Sequence, residues 1–211
     1  MSLQTEVKKV FSFIIDGVPV QAEEGWTVLE TARHHRIHIP TLCFHEAVKP
    51  SGSCRLCVVE ARKGEWSKVV ASCMYPPSEG LEILTNSERV RNVRRWVLEM
   101  LLSECPGSKE IQSLAKEYGV EVTRFRTGDL AEKCILCGLC VRVCEEVVGV
   151  SALSFGSRGV SKKIATPYME PNQSCIACGS CVSVCPTGAM GDRLDRVRGD
   201  ISTRTGHGCA H

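Results

Sequence analysis

The chain has 211 residues, with 26 Lys and Arg against 24 Asp and Glu, 14 cysteines and only 5% aromatic side chains. That length suits one large domain or a few small ones and is short for a large enzyme carrying its own cofactor domain. A formal net charge of +2, with sparse aromatics and no reading motif, gives no footprint for nucleic acid. No run of about eighteen apolar residues offers a membrane span, and the start lacks an apolar stretch with a cleavage site, so a cytoplasmic chain with reduced thiols is expected.

From Val10 to Gln21 the chain alternates around Asp16-Gly17, the signal of a β-hairpin. Thr27 is a candidate N-cap for a helix carrying Val28, Leu29 and Ala32, with Pro40 well past its end. Cysteines then crowd a loop: Cys43, then Cys54 and Cys57 just after Ser51, Gly52 and Ser53. Two apolar runs flank the turn at Arg62-Lys63-Gly64-Glu65, which predicts a strand pair, and Cys73 follows. Leu81 to Thr85 reads as a last strand. A helix starting at Asn86 or Ser87 sets Val90, Val93, Val97, Met100 and Leu101 on one face, and a short helix covers Ile111 to Tyr118. Beyond Met190 the text turns polar and Gly-rich, which predicts an extended tail.

Between these lies an internal repeat. Cys134, Cys137, Cys140 and Cys144 follow C-x2-C-x2-C-x3-C, and Cys175, Cys178, Cys181 and Cys185 repeat it, running into Pro186. Three thiolates two residues apart can converge on three iron corners of one cubane. The fourth, a turn further along, points away and in two-cluster bacterial ferredoxins ligates the other cluster. By that rule one [4Fe-4S] cluster takes Cys134, Cys137, Cys140 and Cys185, and the second takes Cys175, Cys178, Cys181 and Cys144. The competing reading is a pair of zinc sites in an interaction module. Zinc needs four ligands, usually as two separated pairs, which leaves the third cysteine of each run without a use. From 131 to 190 the chain closely resembles the two-cluster ferredoxin domain; Gly138 and Gly179 follow the second cysteine of each run, where a side chain would crowd a cluster.

The spacing Cys43, Cys54, Cys57, Cys73 does not match the plant-type ferredoxin run. The segments around those cysteines do resemble the [2Fe-2S] domain at the head of the large iron-sulfur subunit of complex I and of its relatives in soluble NAD-linked hydrogenases and formate dehydrogenases. The order of units resembles that family too, and "CILCGLCVRVCEEVVGVSALSFGSRGV" is most similar to the diaphorase-side subunit of soluble hydrogenases. The resemblance implies an α+β chain: a [2Fe-2S] ferredoxin-like β-grasp domain over 1–85, a helical linker over 86–130, a two-[4Fe-4S] bacterial-ferredoxin-like domain over 131–191 and a tail over 192–211. It implies Cys43, Cys54, Cys57 and Cys73 as ligands of one [2Fe-2S] cluster. Its members usually carry a further cluster in the linker, held by one histidine and three cysteines; this sequence has only Cys105 there and no histidine, so that cluster is expected to be missing.

What the resemblance implies for function is electron transfer without catalysis. The implied partners are a flavin-containing NAD(P)H-oxidoreductase subunit, a thioredoxin-like [2Fe-2S] subunit, a catalytic hydrogenase or formate dehydrogenase subunit, and ferredoxin where the complex bifurcates electrons. A free-standing multi-cluster ferredoxin is the alternative. No nucleophile constellation and no Gly-rich phosphate loop is present. His34, His35, His38 and His45 read as exposed or capping residues, Cys105 as a loop cysteine, and His207 and Cys209 as parts of the tail. Arg89, Arg91, Arg94 and Arg95 read as a solvated face. Arg142, between two ligands, reads as a cation that favours a reduced cluster.

Overall fold

A computed structural model of the chain describes residues 9–169 and 172–191, so the expected tail with His207 and Cys209 lies outside the described residues. Two compact units form, one from residues 9–42 and 50–98, the other from 43–49 and 99–191.

In the first unit β1 (Val10–Ile15) and β2 (Val18–Glu23) pair antiparallel through the expected turn. Asp16 and Gly17 both take positive φ, 48° and 81°, which matches the twist of a two-residue hairpin loop. Strands β3 (Val58–Lys63), β4 (Trp66–Ala71) and β5 (Glu82–Leu84) complete a five-stranded sheet in the order β2-β1-β5-β3-β4, with β1 and β5 parallel. Helix α1 (Val28–His34) starts at Thr27 with a full capping box, Glu30 reaching back to the Thr27 amide at 2.7 Å. Its first amides serve the next layer: Val28 N–H donates to the Tyr75 carbonyl and Leu29 N–H to the Ser72 carbonyl. The helix start therefore fixes the backbone on both sides of Cys73. Ile15, Leu29, Leu56, Leu81 and Ile83 fill the core, all 2% exposed or less.

Helix α2 (Glu88–Glu104) begins one turn after the last strand. Val90 and Val97 are buried as the periodicity predicts and Val93 and Leu101 are half-buried, but Met100 is 46% exposed, while Leu98, outside the predicted face, is buried, and Arg94, read as solvated, is 2% exposed. The reason is geometric: position 94 falls on the same stripe as 90, 97 and 98, where successive turns superpose.

The second unit has little regular structure. Helix α3 (Lys109–Glu117) is capped by Ser108. Helix α4 (Leu139–Arg142) runs into a π turn (Val143–Val147), β6 (Ser154–Gly156) pairs with β7 (Lys163–Ala165), and α5 (Ser180–Ser183) follows. The β6–β7 ribbon carries no turn signal strong enough to announce it. Its Phe155 explains one glycine, since a Cβ on Gly138 would stand 2.8 Å from the Phe155 ring.

Candidate metal centres

None of the thirteen described cysteines is joined in a disulfide. In the first unit Cys54, Cys57 and Cys73 are 7%, 1% and 0% exposed. Cys57 Sγ and Cys73 Sγ lie 3.3 Å apart, about half an ångström closer than the roughly 3.8 Å between two thiolates that each stand about 2.3 Å from one tetrahedral metal. Leu56, between Cys54 and Cys57, points into the core at 0% exposure, so the ligand loop is anchored by packing. Gly52 has φ +62°, and a Cβ there would meet Met74 at 3.1 Å.

Polar groups brace the same loop. Ser72 Oγ and its amide both donate to the Cys57 carbonyl, at 2.7 and 3.1 Å. Arg94 Nε donates to the Leu56 carbonyl at 3.1 Å and Nη2 to the Val58 carbonyl at 2.8 Å. This buried guanidinium spans the backbone around Cys57, a role the sequence reading missed. Its signal was a charge on the apolar stripe of α2. Glu60, also buried, accepts from Ser87 Oγ, Arg62 Nε and Ser67 Oγ. The Ser87 hydroxyl, then Arg62, hold its carboxyl down at about 2.

In the second unit the two repeats fold alike. Leu136 and Ala177, each just before the second cysteine of its run, have φ of 51° and 54°; Gly138 and Gly179, just after it, have 72° and 76°. Two left-handed residues flanking a cysteine curl the loop so that successive amides face one side, a concave arrangement suited to anionic sulfur. Gly179 has nothing within 4 Å of a Cβ position, so its glycine answers to backbone conformation rather than crowding by the protein.

The thiols group across the repeats. Burial pushes the Cys140 thiol up to about 12, and Cys137, Cys134 and Cys185 each oppose its ionisation further. Burial likewise pushes Cys137 up to about 11, with Cys185, Cys134 and Cys43 adding to it. Cys185, the last cysteine of the second run, packs with Cys134 against the cluster that holds Cys140. The Cys181 thiol is raised by burial, then by Cys178 and Cys144, and Cys181 also packs beside Cys140 of the first run. The Ala152 amide donates to Cys144 Sγ at 3.2 Å, the kind of N–H to sulfur contact that tunes a cluster. Cys175 and Cys178 are exposed, and the Cys178 thiol is lowered by Ser180. Among the described residues no three His, Cys, Asp or Glu side chains converge closely enough for a single ion. A four-iron cubane, whose ligand sulfurs stand off the corners of a body rather than around a point, does not require it.

Cys43 is 1% exposed. Its carbonyl accepts from Arg142 Nη2 at 2.9 Å, and Arg142 Nη1 donates to the Lys49 carbonyl. Cys105 is fully buried, donates to the Leu101 carbonyl at 2.8 Å, and is pushed up to about 12 by burial, then by Cys134. It is a packed thiol at the end of α2. His34, His35, His38 and His45 are all exposed. No helix among the described residues is long and apolar enough to cross a membrane.

Residues 8–88 match the family described as a 2Fe-2S iron-sulfur cluster binding domain, and residues 133–189 match the 4Fe-4S dicluster domain. The chain is 35% identical over 175 residues to the NADH-ubiquinone oxidoreductase 75 kDa subunit of Reclinomonas americana, covering 72% of this chain and 25% of that one. It is 32% identical over 204 residues to the mitochondrial NADH dehydrogenase [ubiquinone] iron-sulfur protein 1 of Solanum tuberosum, covering 86% and 27%. The chain therefore spans about a quarter of the length of these curated relatives. A chain in the crystal structure of an NAD+-reducing [NiFe]-hydrogenase in the H2-reduced state superposes with a TM-score of 0.73 at 32% identity, covering 85% of this chain and 86% of that one.

Proposed function

From the premise that this chain belongs to the family of iron-sulfur subunits shared by NADH-ubiquinone oxidoreductases and NAD-reducing hydrogenases, we propose that it relays single electrons between a flavin-containing NAD(P)H-oxidoreductase subunit and a catalytic subunit of hydrogenase or formate dehydrogenase type, or a ferredoxin. The proposed layout keeps the [2Fe-2S] head over 1–85, a cluster-free linker over 86–130 and the dicluster domain over 131–191. Its ligands are Cys43, Cys54, Cys57 and Cys73 for the two-iron cluster, Cys134, Cys137, Cys140 and Cys185 for the first four-iron cluster, and Cys175, Cys178, Cys181 and Cys144 for the second. A thioredoxin-like [2Fe-2S] subunit is a further expected partner.

The observation that supports this reading is that Cys185, the last cysteine of the second run, packs with Cys134 around Cys140 of the first, as an exchange of last cysteines between the runs requires. A pair of zinc pairs has no reason to swap them, whereas two cubanes held side by side do. When bound, the clusters supply one-electron chemistry at potentials set by their surroundings. The residues do the rest. Leu56 and Leu139 pack beside ligands and keep water from them, Ala152 directs its amide at Cys144, and Arg94 and Ser72 hold the Cys57 backbone rigid. A rigid site changes little on gaining an electron, which suits relay rather than bond making. Metal and acid-labile sulfide analysis of anaerobically prepared protein tests it. About ten iron atoms per chain are expected from one two-iron and two four-iron clusters; zinc without sulfide would overturn the reading.

A further inference from the structure

Arg94 sits on α2 at 2% exposure, on the stripe that carries Val90 and Val97 into the core of the first unit. A guanidinium is costly to bury and persists inside a protein only where its donors find acceptors. Two of them meet one short stretch of backbone: Nε donates to the Leu56 carbonyl at 3.1 Å and Nη2 to the Val58 carbonyl at 2.8 Å. Those carbonyls bracket Cys57, which is 1% exposed. The carbonyl between them, that of Cys57, accepts from both the hydroxyl and the amide of Ser72, at 2.7 and 3.1 Å. Ser72 in turn precedes Cys73, whose Sγ lies 3.3 Å from that of Cys57. Leu56, Cys57, Val58, Ser72, Cys73 and Arg94 all belong to the first unit.

We propose that Arg94 sets the reduction potential of the two-iron centre: a fixed, buried positive charge bonded to the backbone on both sides of Cys57 favours the reduced form. The inference rests on the assignment of Cys57 and Cys73 as ligands of that centre. Reduction adds one electron, makes or breaks no bond, and leaves the centre one charge more negative. In an interior shielded from water, a neighbouring cation stabilises that added charge far more than it would in solvent. The hydrogen bonds act in the same direction. The Leu56 carbonyl and the Cys57 N–H are two ends of one peptide group, so a charged donor on the carbonyl makes the amide a stronger donor toward anionic sulfur. Arginine suits this position because it keeps its charge across the working pH range and its planar fork reaches both carbonyls at once. A lysine ammonium carries the same charge but, as a point donor on a flexible stem, cannot hold both.

The test uses the full chain, loaded with clusters and titrated with dithionite, as wild type, Arg94→Lys and Arg94→Met. The two-iron electron paramagnetic resonance signal is followed against solution potential. At the wild-type midpoint the ratio of reduced to oxidised two-iron centre should fall about tenfold in Arg94→Met, a shift of roughly 59 mV for a one-electron couple. It should fall by about threefold in Arg94→Lys, which keeps the charge and loses the fork. The difference between wild type and Arg94→Met should be the same in dilute buffer and in about 1 M salt, which screens exposed charges beyond about 3 Å but not buried ones. A merely structural part for Arg94 would weaken iron loading and leave the midpoint of the loaded fraction unmoved. A wild-type midpoint in loaded Arg94→Met, or a shift that salt abolishes, therefore overturns the inference while leaving the ligand assignment standing. Should Arg94→Met fail to load, Arg94→Lys decides alone, and a wild-type midpoint there overturns the inference. A wild type with no two-iron signal overturns the assignment and the inference together.

Discussion

The two units hold their cysteines by opposite means. In the first, Cys54, Cys57 and Cys73 are embedded in a continuous sheet and helix core, with Leu56 interleaved among them and Arg94 and Ser72 bonded to the surrounding backbone. In the second, the helices nearest the cysteines are four residues long and the strands three. There the small apolar clusters are built partly from the cysteines, with Cys140 beside Ile164 and Met190, and Cys134, Cys181 and Cys185 around them. Helices and strands that short are not stable on their own. One unit is a scaffold that presents a site. The other is largely the wrapping of its sites, so its metal-binding free energy is its folding free energy.

The largest expected effect follows from that contrast. Removing iron with a chelator and reductant should unfold residues 131–191 while the five-stranded sheet of the first unit persists. Limited proteolysis read by mass spectrometry checks it, with cuts expected throughout 131–191 and protection over 10–84. Equal protection of both regions after complete iron removal would show that packing alone holds the second unit.

A sharper probe lies within the second unit. Cys144→Ala should cost the cluster associated with Cys175, Cys178 and Cys181, and Cys185→Ala the one associated with Cys134, Cys137 and Cys140, each leaving the other in place. Iron content should drop by about four atoms in each variant, and Mössbauer or electron paramagnetic resonance spectra assign which cluster is gone. Loss of the sequence-local cluster in each case would refute the crossing.

How far the sequence was legible follows the same divide. The hairpin turn at Asp16-Gly17, the N-cap at Thr27 and the cysteine runs were all readable because each is a local signal: a dipeptide, a capping side chain before an apolar stripe, a fixed spacing. The α+β order of a two-iron domain followed by a dicluster domain came from resemblance, and the family matches agree with it. What stayed hidden depends on partners far apart in the chain. Arg94 bonds carbonyls 36 and 38 residues away, and Arg142 bonds a carbonyl 99 residues away. Both were read as charges, one solvated and one tuning a cluster, because spacing says nothing about distant backbone. Phe155 against Gly138 was invisible for the same reason.

Glu60 gives the smallest expected effect and tests whether the first unit is a scaffold in its own right. Its carboxylate joins β3 to β4 through Ser67 and to the start of α2 through Ser87, whose hydroxyl also accepts from the Val90 amide. The folded state holds the group at about 2, against an ordinary value of 4.5. A lowered value means that the folded state favours the charged form, so the stabilisation is fully present above 4.5 and is lost as pH falls toward 2. The loss should amount to about 2 kcal/mol, discounted because Arg62 is partly exposed and screened by salt. Thermal unfolding of the iron-free chain, whose first unit is expected to stay folded, should show this slope. Glu60→Gln cannot ionise, so it should start less stable at neutral pH and converge on the wild type in acid. Curves that stay parallel down to pH 2 would place the stability of the first unit in its apolar core alone, with the Glu60 network contributing nothing to it.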